Sequence, residues 1–263
     1  MEEKVRMVIN GQEGEFPAGM TVLEAAQRED IEIPTLCHHR ALDPAGLCRL
    51  CIVDVSGSIR PAIRVSCIQE VKEGLIVETE TERIRRNRSL LLELFLARAR
   101  DSVEIIDLAA KYGVTSSRFE TGVCDECVRC GLCVRVCREK IGAQALSFSG
   151  RGYDRHISTP FDRLSDDCLG CGACAQVCPT HAIRMDDRGN QRKIYTWGQV
   201  FARFTLETCD SCGLPFAPQK YIDYIQKKNI ARAGFQTSGK ICPECERKEM
   251  AQKRSKIARR PLR

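Results

Sequence analysis

The segment Cys168-Leu-Gly-Cys171-Gly-Ala-Cys174-Ala-Gln-Val-Cys178-Pro179 sets three thiols at two-residue gaps and a fourth three residues further on. Two-residue gaps let one tight loop aim three thiolates at a single [4Fe-4S] cube, while the fourth cysteine, just before proline, points at a neighbouring cluster. Gly170 and Gly172 allow the backbone to pass close to the sulfides. Cys127-Val-Arg-Cys130-Gly-Leu-Cys133-Val-Arg-Val-Cys137 repeats the spacing, with Arg138 in place of the proline. Two such runs imply crossed ligation. Cys127, Cys130, Cys133 and Cys178 would hold a first [4Fe-4S] cluster, and Cys137, Cys168, Cys171 and Cys174 a second. Zinc would leave this repeated spacing unexplained.

Two further quartets follow other rules. Cys37, Cys48, Cys51 and Cys67 form a loop cysteine, a close pair and a distant cysteine on a returning strand. Four thiolates converging in this way suit a [2Fe-2S] rhomb, although on spacing alone a four-cysteine zinc site uses the same residues. Cys209, Cys212, Cys242 and Cys245 are paired Cys-x-x-Cys knuckles across a long gap, the arrangement of a zinc ribbon. Structural zinc is the expectation there. The neighbouring Gly213 and Pro243 leave a rubredoxin-type iron open, and a further iron–sulfur cluster is the third option. Cys124 is left over, and we read it as a bystander thiol.

Other chemistry is sparse. His38, His39, His156 and His181 fall in no Cys/His or Ser/His/Asp arrangement, and the chain contains neither a GxGxxG motif nor a P-loop. No flavin or nicotinamide site is visible. A framework of disulfides is excluded on compartment: the N-terminus lacks the apolar stretch of a signal peptide, so a cytoplasmic protein is expected, where disulfides are rare. No segment is apolar enough to span a bilayer. The formal charge of +6 invites a nucleic-acid reading, but residues 246–263 carry eight basic against two acidic residues, which is the whole excess. Metal-bound thiolates would turn the total negative. A zinc-ribbon, cluster-sensing regulator of nucleic acid is therefore the alternative reading, unsupported by any recognition-helix or basic–aromatic pattern.

The elements that must position these cysteines read as α+β. Two strands flank Asn10-Gly11, a strong hairpin signal. Thr21-Val-Leu-Glu24 is a capping box opening a helix over 22–29. Ile59–Ser66 and Leu75–Thr79 read as strands, which with the cysteine loop suggest a β-grasp [2Fe-2S] domain over residues 1–80. Residues 81–120 read as a helical linker whose arginines Arg83, Arg85, Arg86 and Arg88 form a solvated face. A two-[4Fe-4S] ferredoxin domain is expected over 121–208, with hairpins at 145–160 and 182–208. A four-cysteine zinc-knuckle module follows over 209–245, with a helix at Gln219–Lys228. The basic tail, 246–263, is expected to be mobile or helical only on a partner.

TLCHHRALDPAGLCRLCIVDV, ending at VSCIQEVKEGLIVET, resembles the N-terminal domain of the large iron–sulfur subunit of respiratory complex I. It equally resembles the matching domain of multi-cluster [FeFe]-hydrogenases and the small iron–sulfur subunit of NAD-reducing hydrogenases. The likeness resumes at DECVRCGLCVRVCREKIGAQALSFSGRG and runs through ISTPFDRLSDDCLGCGACAQVCPTHAI, so that it covers over half the chain. It implies that Cys37, Cys48, Cys51 and Cys67 hold [2Fe-2S]. It also implies an electron-relay subunit of a cytoplasmic hetero-oligomer. The expected partners are a flavin- and NAD(P)-binding subunit and a catalytic oxidoreductase subunit: a hydrogenase, a formate dehydrogenase or an electron-bifurcating flavoprotein. The departures are also informative. The family usually carries a cluster held by one histidine and three cysteines between the two blocks, and residues 82–123 contain neither residue type. Nor does the chain run on into a catalytic domain, so it reads as the wiring of such an enzyme.

Overall fold

The computed structural model describes residues 3–119, 126–163, 165–196, 199–233 and 240–258. Strands β1 (Lys4–Ile9) and β2 (Gln12–Pro17) form the expected hairpin, with Asn10 and Gly11 both at positive φ. Helix α1 (Val22–Arg28) starts on Thr21, whose side chain accepts from the Glu24 N–H while Glu24 reaches back to the Thr21 N–H at 2.8 Å. β3 (Ile52–Gly57), β4 (Ala62–Val65) and β5 (Leu75–Glu78) complete one sheet in the order β2-β1-β5-β3-β4. β1 and β5 run parallel and the other pairs antiparallel. Strand β3 went unread in the sequence because it begins on the residue after Cys51. One face of the sheet buries Met7, Ile9, Val53, Val55, Leu75 and Val77 under the apolar side of α1, and Cys51 and Cys67 belong to this core. Two thiols of the first quartet are thus part of the packed interior.

The linker is two helices, not one: α2 (Glu82–Arg98) ends at Ala99 and α3 (Val103–Lys111) starts after Ser102. Its arginines are also not one solvated face. Arg88 is fully buried. Its Nε donates to the Leu50 carbonyl at 3.0 Å and its Nη2 to the Ile52 carbonyl at 2.7 Å, the two carbonyls flanking Cys51. Nη1 donates to the Tyr112 hydroxyl at 2.9 Å and pairs with Glu80. A buried cation persists only when its donors are satisfied, and here the β3 loop satisfies them.

In the second half, α4 (Leu132–Arg135) runs into a π-helical turn (Val136–Ile141), and α5 (Ala173–Gln176) occupies the equivalent place in the second cysteine run. Both short helices start after a glycine at left-handed φ, Gly131 and Gly172. β6 (Ser147–Ser149) and β7 (His156–Ser158) form the expected hairpin between them. β8 (Ile183–Arg188) and β9 (Gln191–Thr196) turn at Gly189, as expected. The sheet then extends through β10 (Gln199–Thr208) and β11 (Pro215–Pro218) in the order β11-β10-β9-β8. Helix α6 spans Gln219–Ala233 and α7 Pro243–Ala258. The basic tail is therefore helical as far as Ala258. Pro243 at the first position and Glu244 and Glu246 in the first turn favour that helix start. Among the described residues no helix is long and apolar enough to cross a membrane.

Candidate cluster-binding sites

Cys37, Cys48, Cys51 and Cys67 are all buried, between 1% and 7% exposed. Pro34 ends the segment after α1 and leads into Cys37; Cys48 and Cys51 lie on the loop entering β3, and Cys67 follows β4. The thiols stand in two touching pairs. Hydrogen bonding to Cys37 pulls the Cys48 thiol down to about 6 and pushes Cys37 up. Hydrogen bonding to Cys67 likewise pulls Cys51 down to about 7 and pushes Cys67 up. The backbone N–H of Cys48 donates to the Cys37 sulfur at 3.3 Å. The N–H groups of Leu50 and Gly46 also favour the anionic forms of Cys48 and Cys67 respectively. Two close pairs inside a ring of amides match a rhomb in which each of two irons takes two thiolates. Ser66 is wholly buried beside this site. Its hydroxyl has no hydrogen-bond partner, although the residue stands next to Cys67 and its N–H donates to the Cys51 carbonyl.

Cys127, Cys130, Cys133 and Cys178 line one cavity, together with Val128, Ile157, Ala182, Ile183, Thr180 and Thr196. Burial pushes Cys130 up to about 12 and Cys133 well above the usual thiol range. Cys137, Cys168, Cys171 and Cys174 line a second cavity, whose other walls are apolar, including Ile141, Leu146, Ile194 and Phe201. Burial raises Cys168, Cys171 and Cys174 as well. Thus each cavity draws its fourth cysteine from the other sequence run. The backbone lies tight against its neighbours here. A Cβ on Gly172 would stand 2.4 Å from the Met185 sulfur.

The donor sets fit iron–sulfur clusters. Both cavities offer four thiols and no carboxylate or imidazole. Thiols that burial holds protonated become thiolates only when a cationic group supplies the countercharge. Thr196, 8% exposed, has a hydroxyl with no partner in the protein, which a cluster sulfur would satisfy. Arg88, Ser66 and Thr196 escaped sequence reasoning, since no spacing rule attaches them to cysteines.

The three sites are contiguous. Cys48 and Cys130 share one buried core, and Cys133 and Cys174 share the next. Leu47 from the first loop packs where Gly131 has no side chain, 3.5 Å from the position of its missing Cβ.

Cys209, Cys212, Cys242 and Cys245 differ in scale. Their sulfurs all lie within 4.8 Å of one another, and among the described residues theirs is the one group of thiols, imidazoles or carboxylates so close. Cys212 and Cys242 are 3.9 Å apart. A tetrahedral ion with metal–sulfur bonds of about 2.3 Å needs sulfurs about 3.8 Å apart. The Cys242 N–H donates to the Cys209 sulfur at 3.2 Å and draws that thiol down to about 6. Cys209 and Cys212 sit in the turn joining β10 to β11, while Cys242 and Cys245 flank the start of α7. Cys124 lies outside the described residues.

Comparison with known proteins gives the following. Residues 2–82 match the family described as a 2Fe-2S iron-sulfur cluster binding domain, and residues 126–182 and 167–216 match the 4Fe-4S dicluster domain. An NADH-quinone oxidoreductase chain of Rhizobium meliloti is 32% identical over 59% of this chain and 21% of its own length. The NADH-ubiquinone oxidoreductase 75 kDa subunit of Reclinomonas americana is 31% identical over 59% of this chain and 26% of its own. The chain therefore spans about a fifth to a quarter of these relatives. A chain in the crystal structure of an NAD+-reducing [NiFe]-hydrogenase in the H2-reduced state superposes with a TM-score of 0.59 at 29% identity. That match covers 67% of this chain and 85% of the other.

Proposed function

We propose, from the premise that this chain is an iron–sulfur electron-transfer protein related to subunits of complex I and NAD-reducing hydrogenase, that it relays electrons between two partner subunits. One partner binds flavin and NAD(P); the other is a catalytic oxidoreductase such as a hydrogenase, a formate dehydrogenase or an electron-bifurcating flavoprotein. The observation that carries this reading is the shared packing of three thiol quartets: Cys48 and Cys130 belong to one buried core, and Cys133 and Cys174 to the next.

In this reading Cys37, Cys48, Cys51 and Cys67 hold a [2Fe-2S] cluster. Cys127, Cys130, Cys133 and Cys178 hold a first [4Fe-4S] cluster, and Cys137, Cys168, Cys171 and Cys174 a second. Bound clusters supply one-electron carriers whose potentials the protein sets. The chain's own residues determine order and insulation. The 37–67 loop abuts the first cavity and the first cavity abuts the second, so electrons pass from one end of the row to the other. Ile157 and Ile183 line the first cavity with apolar surface, and Leu47 packs on Gly131 at its edge. Cys209, Cys212, Cys242 and Cys245 hold one zinc ion as a closed, redox-inert brace, favoured by their close spacing. The protein works in the cytoplasm as part of a hetero-oligomer and does not bind nucleic acid.

Co-purification of the native protein tests the relay. The expected result is a complex containing a flavoprotein that oxidises NAD(P)H, with the isolated chain inert toward NAD(P)H but reducible by dithionite. Purification as a lone chain bound to DNA in a salt-dependent manner would replace the relay with the regulator.

A further inference from the structure

Two hydroxyls are buried among the thiols with no oxygen or nitrogen in the protein to receive their protons: Ser66 Oγ and Thr196 Oγ1. Ser66, fully buried, precedes Cys67, and its backbone N–H donates to the Cys51 carbonyl at 2.9 Å. That bond fixes Ser66 against the loop that carries Cys51 and leaves its buried hydroxyl without a partner. Thr196 ends β9 opposite Ile183, and both line the cavity of Cys127, Cys130, Cys133 and Cys178. A hydroxyl buried without a partner is destabilising, and at Thr196 a valine of nearly the same shape would escape that cost. Thr196 lines a cavity with four thiols, and Ser66 stands next to Cys67 of the buried quartet Cys37, Cys48, Cys51 and Cys67. The second four-cysteine cavity offers a contrast, since its described lining is apolar apart from the cysteines.

We propose that Thr196 and Ser66 donate hydrogen bonds to cluster sulfurs, Thr196 in the first [4Fe-4S] site and Ser66 at Cys51 of the [2Fe-2S] site. The inference rests on the cluster assignment above and adds a role for each residue: to hold the potential of its cluster higher than thiolate ligation in apolar surroundings would leave it. The physical reason is that an added electron makes the sulfurs better acceptors. A fixed donor therefore stabilises the reduced form more than the oxidised form. A threonine present only for its strand preference would do neither.

Redox titration followed by electron paramagnetic resonance, on the full chain purified anaerobically, tests this directly. Signals are first assigned through Cys130→Ser and Cys171→Ser. Thr196→Val is expected to lower the midpoint of the first [4Fe-4S] signal and leave the [2Fe-2S] midpoint in place, while Thr196→Ser, which keeps the hydroxyl, stays at the wild-type value. Ser66→Ala is expected to lower the [2Fe-2S] midpoint alone. If valine impairs cluster assembly, Thr196→Ala carries the same comparison. Full iron content with unmoved midpoints in both hydroxyl-free variants, or equal shifts for the valine and serine variants, overturns the proposal and leaves the relay intact. A wild-type chain that takes up no iron–sulfur clusters overturns the relay, and this proposal with it.

Discussion

Arg88, on helix α2, donates to the carbonyl of Ile52 at 2.7 Å, and the same guanidinium reaches Leu50 on the other side of Cys51. One side chain from the linker thus holds the peptide units on both sides of a thiol in the first domain. Its charge is paired with Glu80 and supported by Tyr112.

Replacing Arg88 by Met should remove this grip and leave two carbonyls without their side-chain donor, while Glu80 keeps Arg85 and Tyr112. The cost is that of buried acceptors left unsatisfied, about 1–3 kcal/mol, since Glu80 is part-exposed and keeps Arg85. Thermal denaturation should show the loss, and the visible spectrum should lose its [2Fe-2S] contribution first. Lysine, lacking the planar fork, should recover only part. Unchanged stability in both variants would show that the α2 contact is incidental.

Metal content follows from the four quartets. Anaerobically purified protein should contain about ten iron and ten acid-labile sulfide per chain, with about one zinc. Elemental analysis decides it. About eleven irons without zinc would make the C-terminal site rubredoxin-like. About fourteen would make it another cube, against the 3.9 Å spacing of Cys212 and Cys242.

Crossed ligation makes Cys178→Ser informative. It should damage the cluster of Cys127, Cys130 and Cys133, whose cavity Cys178 shares, and spare the one beside it in sequence. Cys137→Ser should do the converse. Paramagnetic resonance on the reduced variants reads this. A Cys178→Ser spectrum identical to that of Cys171→Ser would mean local ligation and a wrong architecture.

Gly172→Ala should destabilise the second cavity in two ways. The residue sits at φ +75°, which costs an L-residue about 1–2 kcal/mol, and its Cβ would stand 2.4 Å from the Met185 sulfur. Adding Met185→Ala should relieve the contact and leave the backbone cost. Melting temperature and cluster content of the single and double variants separate the two, and an unperturbed single variant would refute both.

What the sequence determined by itself is the chemistry that acts over short spans. Two-residue gaps between cysteines dictate how a loop can aim thiolates, so [4Fe-4S] binding was legible from Cys127 to Cys178 without any fold, whereas the [2Fe-2S] domain was legible through a family resemblance, its spacing alone also suiting zinc. Asn10-Gly11 and the Thr21/Glu24 capping box were legible for the same reason, being satisfied within a few residues. Tertiary packing decided the rest. Arg88 looks in sequence like its neighbours Arg85 and Arg86, and only the approach of β3 to α2 buries it. Ser66 and Thr196 are ordinary strand-end hydroxyls until packing takes away their water and leaves them beside thiols. The order of the row was equally hidden, because Cys48 and Cys130 come into one core only where Leu47 packs on Gly131. Burial and long-range pairing are properties of the assembled surfaces, which no spacing along the chain encodes.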